Sequence, residues 1–191
     1  MTGKTTSEEI VDVADRLFYE KGYEHTSFAD IAAEVGISRG NFYHHFKTKD
    51  AILDAVISQR LTNTRAMLEQ WETDGQTPEE RIRCFIRILI TNQTKIMDYG
   101  CPVGTLVSEL AKLNHAAQND ANRLFTLFRD WLAIQFSALG READAEDLAM
   151  HLLARSQGVA TLANAFHDER FIRAEVDAMC GWLHARAQEA A

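Results

Sequence analysis

Apolar positions recur along this chain at three- and four-residue intervals, the period that gathers side chains on one face of an α-helix. Ile10, Val13, Ala14, Leu17 and Phe18 form the first stripe. Ser7 is its expected N-cap, Glu8 and Glu9 sit at the positive end of the helix dipole, and Gly22 ends the helix. Residues 1–6 read as a frayed tail. Two short helices follow. Ile31, Ala32 and Val35 mark the first, opened by Ser27 with Asp30 three residues on, in the manner of a capping box, and closed by Gly36. Ser38 caps the second, Arg39 to Phe46, in which Phe42 and Phe46 are four apart and share an inward face. A longer helix, capped by Thr48, runs to about Glu72, and Thr73 to Thr77 turn the chain.

Pro78 fits the first position of the next helix, whose inner face is Ile82, Phe85, Ile86, Leu89 and Gln93. The string Gly100-Cys101-Pro102-Val103-Gly104 breaks the pattern. A short helix from about Thr105 to Lys112 and a long one from about His115 to Leu139, stopped by Gly140, come next. The last two begin near Asp144 and near Phe171. Both carry apolar residues off their main stripe, among them Met150, Leu153, Phe166 and Trp182. Both also carry small residues that permit close approach, at Ala154, Gly158, Ala163, Ala178 and Gly181. A helix apolar on two sides lies in a large core or meets a partner. No strand alternation stands out. The expectation is an all-α protein of about nine helices, with an N-terminal three-helix domain over residues 1–50 and a helical domain over residues 51–191.

Two short helices joined by a tight turn containing Gly have the form of a helix-turn-helix, with Arg39 to Phe46 as its recognition helix. From Ser38 to Lys49 there are three cations, two histidines and no acid. Arg39 suits guanine and Asn41 adenine by bidentate hydrogen bonding. Tyr43, His44 and Lys49 are donors of the kind that hold phosphate oxygens. Ser38, Gly40 and Lys47 complete the segment expected on DNA. Thr26 and Ser27, at a helix start, either donate to phosphate or simply cap.

Charge complicates this reading. The chain carries 20 Lys and Arg against 28 Asp and Glu, a net charge of −8. Residues 1–50 hold six cations and nine acids. The DNA reading survives because the two signs are segregated, and it implies a modest salt dependence. Three widely spaced cysteines form neither a disulfide framework nor a zinc pattern. The histidines have no ligand spacing, and no metal or cofactor is expected. No apolar run approaches the roughly 20 residues of a membrane span, and the N-terminus lacks a signal-peptide core, so a cytoplasmic location is expected. The alternative class is a helical small-molecule-binding protein or enzyme without DNA function. Against it, the chain has no Gly-rich phosphate loop, HExxH or GxSxG.

From about Ile10 to Leu53, and most of all over TSFADIAAEVGISRGNFYHHFKTKDAIL, the chain resembles the DNA-binding domain of TetR-family transcriptional regulators. The resemblance implies a regulator, not an enzyme: a repressor that binds a palindromic double-stranded operator as a homodimer and is released by an effector. It implies dimerisation through the helices near 144–166 and 171–187. It also implies an effector pocket among the C-terminal helices, for which Phe85, Leu89, Leu106, Phe125, Phe128 and Trp131 are candidate lining, each equally readable as core. Polar Gln157, Thr161 and Asn164 recur on one helix face amid apolar neighbours, and buried polar groups need partners. The string GCPVGTLVSEL is similar to a segment in the branch that includes the electrophile-sensing repressor of N-ethylmaleimide reductase. That likeness makes Cys101, just before a helix start where thiolates are favoured, a candidate electrophile sensor. Asn164 stands where that branch carries a helping Lys. The other reading of Cys101 is a small side chain packing a tight helix join.

Overall fold

Thr5, two residues earlier than expected, opens the first helix. Its hydroxyl accepts from the Glu8 N–H while the Glu8 carboxylate accepts from the Thr5 N–H at 2.7 Å. Only a cap with an acid three residues on closes such a reciprocal box, and Ser7 is followed by Ile10 at that distance. The computed structural model describes residues 4–189, so residues 1–3 of the expected tail lie outside it. Among the described residues there are ten α-helices and no strand: α1 Thr6–Lys21, α2 Phe28–Val35, α3 Arg39–His45, α4 Lys49–Asp74, α5 Pro78–Thr91, α6 Gln93–Tyr99, α7 Pro102–Lys112, α8 Gln118–Ala138, α9 Ala145–Phe166 and α10 Glu169–Gln188. The tenth arises because the helix opened by Pro78 stops at Asn92, whose N–H still bonds to Ile88 O at 3.0 Å before α6 begins afresh. Pro102 and Gly104 fall inside the first turn of α7, where a missing N–H is harmless.

The chain forms two compact units. One comprises the N-terminal residues through 63 together with residues 105–123. Its core is Ile10, Ala14, Leu17 and Phe18 of α1, Ile31 of α2, Phe42 of α3, Ile52, Leu53 and Val56 of α4, and Leu106 and Leu110 of α7. Of the stripe read from the N-terminal sequence, Ile10, Ala14, Leu17 and Phe18 are buried, while Val13 is half-buried and Val11, off the stripe, is buried with them. α2 packs on α1, and α3 on α2.

The other unit comprises residues 64–104 and 124 to the C-terminus, so the division falls within α4, α7 and α8. Its apolar core runs through Ile82, Phe85, Ile86 and Leu89 of α5, Phe128, Trp131, Leu132 and Phe136 of α8, and the inner faces of α9 and α10. α5 packs on α10, α6 on α9, and α9 on α10. The Arg155–Glu175 ion pair at 2.9 Å and the His151 ring against Trp182, centroids 4.9 Å apart, join α9 to α10 as an antiparallel pair.

Candidate nucleic-acid interface

α3 is seven residues long and buries one of them, Phe42. A helix this short is unstable alone, so its direction comes from its neighbours. Phe28, the first residue of α2, meets Phe42 edge-on at 5.2 Å and Tyr43 at 5.5 Å. Gly36 makes the turn between the two helices at φ +77°, where a Cβ is disfavoured, and the N–H groups of Gly36 and Ile37 both donate to Ala32 O. Ser38 caps α3 by accepting from the Asn41 N–H at 3.3 Å. The capping box anticipated at α2 is present, with Ser27 donating to Asp30 at 2.6 Å and accepting from its N–H at 3.2 Å. Those bonds hold the Asp30 carboxyl below its ordinary range.

With Phe42 turned in, Ser38, Arg39, Gly40, Asn41, Tyr43, His44 and Lys47 are all exposed. Four acids of this unit are paired away from α3. Asp12 pairs with Lys4, Asp15 with Arg60, and Glu20 and Glu34 with Arg16. Arg39 and Lys47 take part in none of the ion pairs among the described residues. The net charge of the unit therefore misrepresents the field at α3, where the cations are uncancelled.

Two residues grouped with this surface from sequence lie differently. Thr26 is buried, and its hydroxyl donates to Gly22 O at 2.8 Å, with Leu17 O at 3.3 Å. It closes the α1–α2 turn and its side chain does not reach the outward face. Lys49 is half-buried, its ammonium 4.3 Å from the centre of the Tyr23 ring and 3.2 Å from Glu24 O.

Sequence reasoning passed over the cluster beneath Lys49. The Tyr23 hydroxyl donates to Asp50 at 2.6 Å. That bond holds the Asp50 carboxyl below its ordinary range, while burial and the same carboxylate push the Tyr23 hydroxyl up. His115 Nε2 lies 3.3 Å from the Tyr23 oxygen, and Glu109 accepts from the Tyr23 and Glu24 N–H groups, each at 2.9 Å. These residues come from positions 23 to 115, and no local spacing announces them.

The candidate effector residues scatter. Phe85, Leu89, Phe128 and Trp131 belong to the core of the second unit, with Phe125 and Cys101 packed against it. Phe85 meets Phe128 at 5.6 Å, and the Trp131 N–H donates to Glu72 at 3.0 Å. Leu106 is buried in the first unit instead. The three polar residues of α9 do not act as a set. Thr161 is exposed and donates back to Gln157 O at 2.9 Å, and Asn164 donates to Met97 O at 2.8 Å, tying α9 to α6. Gln157 lies over Gly104, where an added Cβ would stand 2.6 Å from its Oε1. Cys101 precedes α7, and its sulfur accepts from the Gly104 N–H at 3.4 Å. A residue not singled out for the site is Gln135, 2% exposed, whose Oε1 has no hydrogen-bond donor among the described residues.

Known proteins share this arrangement. The family model for bacterial regulatory proteins of the tetR family matches residues 10–56, and that for the LmrA/YxaF-like transcriptional regulator C-terminal domain matches residues 78–177. The chain is 28% identical to a helix-turn-helix-type transcriptional regulator in the lacX 3′ region of Lactococcus lactis, over 91% of each chain. It is 24% identical to the helix-turn-helix-type transcriptional repressor DhaR of a Mycobacterium species, over 77% of this chain and 74% of that one. A TetR transcriptional regulator from Legionella pneumophila has a crystal structure that superposes along the full length of both chains, with a TM-score of 0.83 and 26% identity. With a helix-turn-helix model at one end and a regulator-domain model covering half of its residues, the chain belongs to the TetR family of bacterial transcriptional regulators.

Proposed function

We propose that the protein is a homodimeric repressor that presents α3 of each copy to the major groove of a palindromic operator and leaves it when an effector binds. The acid-free outward face of α3 carries this reading. Arg39 and Asn41, in its first turn, are placed to read base edges. Ser27, Ser38, Gly40, Tyr43, His44 and Lys47 are exposed around them and of suitable chemistry for phosphate oxygens. The DhaR relative is a transcriptional repressor. The reading places the protein in the cytoplasm, with the DNA; among the described residues no helix is long and apolar enough to cross a membrane.

Dimerisation has its own support. On α10, Ala174, Ala178, Gly181 and Ala185 are exposed, opposite buried Ile172, Val176, Met179 and Leu183. On α9, Met150, Ala154, Gly158, Thr161 and Ala165 form the matching exposed stripe, with Leu162 and Phe166 beside it. A Cβ at Gly158 or Gly181 would meet nothing within 4 Å. A stripe of small residues on each of two adjacent helices suits close packing with a second copy. A two-fold dimer then sets half-sites about 34–36 Å, or a multiple of it, apart.

The effector acts on the second unit. A partly polar small molecule would satisfy the buried Gln135 acceptor, and an electrophile would act at Cys101. Either shifts the operator affinity only by binding one conformer better than the other. The test is an anisotropy titration of the full-length protein against its own upstream DNA with random competitor, with and without a thiol-reactive compound. Specific binding is expected. Loss on treatment, absent in Cys101→Ser, points to the thiol, and persistence points to a non-covalent ligand. No preference for upstream DNA would sink the reading.

A further inference from the structure

We propose that Glu109, on α7, is a positioning residue for DNA binding: its carboxylate holds the backbone turn between α1 and α2, and that turn sets the joint between the recognition helix and α4. The proposal rests on the DNA-binding reading above. Its geometry lies within one unit of the structure.

The two Glu109 oxygens take two consecutive backbone donors, Oε2 from the Tyr23 N–H and Oε1 from the Glu24 N–H, each at 2.9 Å. Bonds to an ionised carboxylate are roughly twice as strong as neutral ones. The turn is shaped to receive it. Gly22 adopts φ +91°, and a Cβ there would stand 3.0 Å from one Glu109 oxygen and 3.3 Å from the other. Both the backbone angle and the approach of the carboxylate therefore call for glycine.

The two residues whose N–H groups Glu109 holds are also those that hold the start of α4. Tyr23 is buried against Phe18 and His115, at 5.3 and 5.2 Å between ring centres. Its ring lies under the Lys49 ammonium and its hydroxyl binds Asp50, while Glu24 O accepts from Lys49. Lys49 and Asp50 are the first two residues of α4, three positions beyond Phe46, the C-cap of α3. His115 Nδ1 accepts from the Ala117 N–H at 3.1 Å, which leaves Nε2 to donate to the Tyr23 oxygen. Glu109 thus anchors the turn, the turn anchors Lys49 and Asp50, and those residues fix where α3 ends and α4 starts.

The experiment compares full-length wild type with Glu109→Ala, Glu109→Gln, Gly22→Ala and the double variant Gly22→Ala with Glu109→Ala. Two readouts are taken well below the thermal midpoint: backbone hydrogen exchange without DNA, and affinity for upstream against random DNA. In Glu109→Ala, exchange at residues 22–26 is expected to rise while α9 and α10 stay unchanged. Preference for upstream DNA should fall on the order of tenfold, the scale of one charge-assisted bond, with random-DNA affinity held. Glu109→Gln keeps one acceptor oxygen and should fall between. Gly22→Ala should cost less in the Glu109→Ala background, because the Cβ no longer meets a carboxylate. Unchanged exchange at residues 22–26 would overturn the anchor. Faster exchange with undiminished preference, or equal loss on both DNAs, would overturn the positioning role. If wild type itself shows no preference for upstream DNA, the DNA-binding reading fails and the positioning role with it, whatever the exchange shows.

Discussion

The outward face of α3 and the outward faces of α9 and α10 are both exposed, and they are exposed in opposite ways. α3 buries a single side chain and offers guanidinium, amide, phenol and imidazole groups to solvent, with the Lys47 ammonium just beyond its end. α9 buries nine residues on one side and on the other offers Met150, Leu162, Phe166 and a run of Ala and Gly. Polar exposure costs a free protein nothing and awaits a polyanion. Apolar, small-residue exposure is a standing cost, relieved only when a like surface covers it. The contrast teaches that the two surfaces suit different kinds of partner, and that the proposed DNA and dimer contacts would fail by different means.

The sharpest way to break the contrast is to give the small-residue face the character of a polar one. Gly158→Glu with Gly181→Glu places unpaired charges in the proposed two-fold face. Sedimentation velocity should show monomers, and operator affinity should fall by roughly 10²–10⁴, the bivalent gain that is lost. A dimer that survives both substitutions would mean another face pairs. Next in size, Phe42→Ala removes the one buried anchor of α3. A loss of about 3–5 kcal/mol is expected for such a truncation, seen as exchange of α2 and α3 amides with α9 and α10 still protected.

Smaller effects separate base reading from phosphate holding on the polar face. Arg39→Ala should cost about 1–3 kcal/mol on operator DNA and relax its preference, whereas Lys47→Ala should weaken all DNA alike and reduce the salt slope by about one unit. Equal losses on both DNAs for Arg39→Ala would remove it from base reading. The smallest effect is pH-dependent. The Tyr23 hydroxyl holds the Asp50 carboxyl below its ordinary range, so this bond stabilises the folded state above the ordinary carboxylate pKa and the gain is lost as pH falls toward the depressed value. The destabilisation caused by Tyr23→Phe should accordingly be largest near neutrality and shrink in acid, as read by denaturant midpoints across pH. A cost that grows on acidification would contradict it.

Much of this was legible in the chain. The Ile10 to Phe18 stripe, the Ser27–Asp30 box, the Gly36 turn, the Ser38 cap and the inward Phe42 are local patterns, each decided by residues within four positions of one another. The Thr5 cap was missed in favour of Ser7 because both are good caps and only the reach of Glu8 separates them. Thr26 was grouped with the outward donors because its spacing resembles a cap. Its burial depends on Leu17 and Gly22, which the packing of α1 against α2 brings to its hydroxyl. Gln157, Thr161 and Asn164 share a helical spacing, yet α6 takes the Asn164 amide while Thr161 faces out.

By itself, then, the sequence determined most of the helices, the helix-turn-helix form and which residue types lie along its second helix, because periodicity, caps and turn residues act over one or two turns of chain, though not the break at Asn92. Only the tertiary structure decided which polar groups meet. It brought Glu109 to the Tyr23 and Glu24 amides across more than eighty residues, turned Lys49 onto an aromatic ring, and left the buried Gln135 Oε1 without a donor among the described residues. Hydrogen bonds and ion contacts act over a few ångströms of space, and nothing in the spacing of residues along a chain says which distant segment will supply the partner.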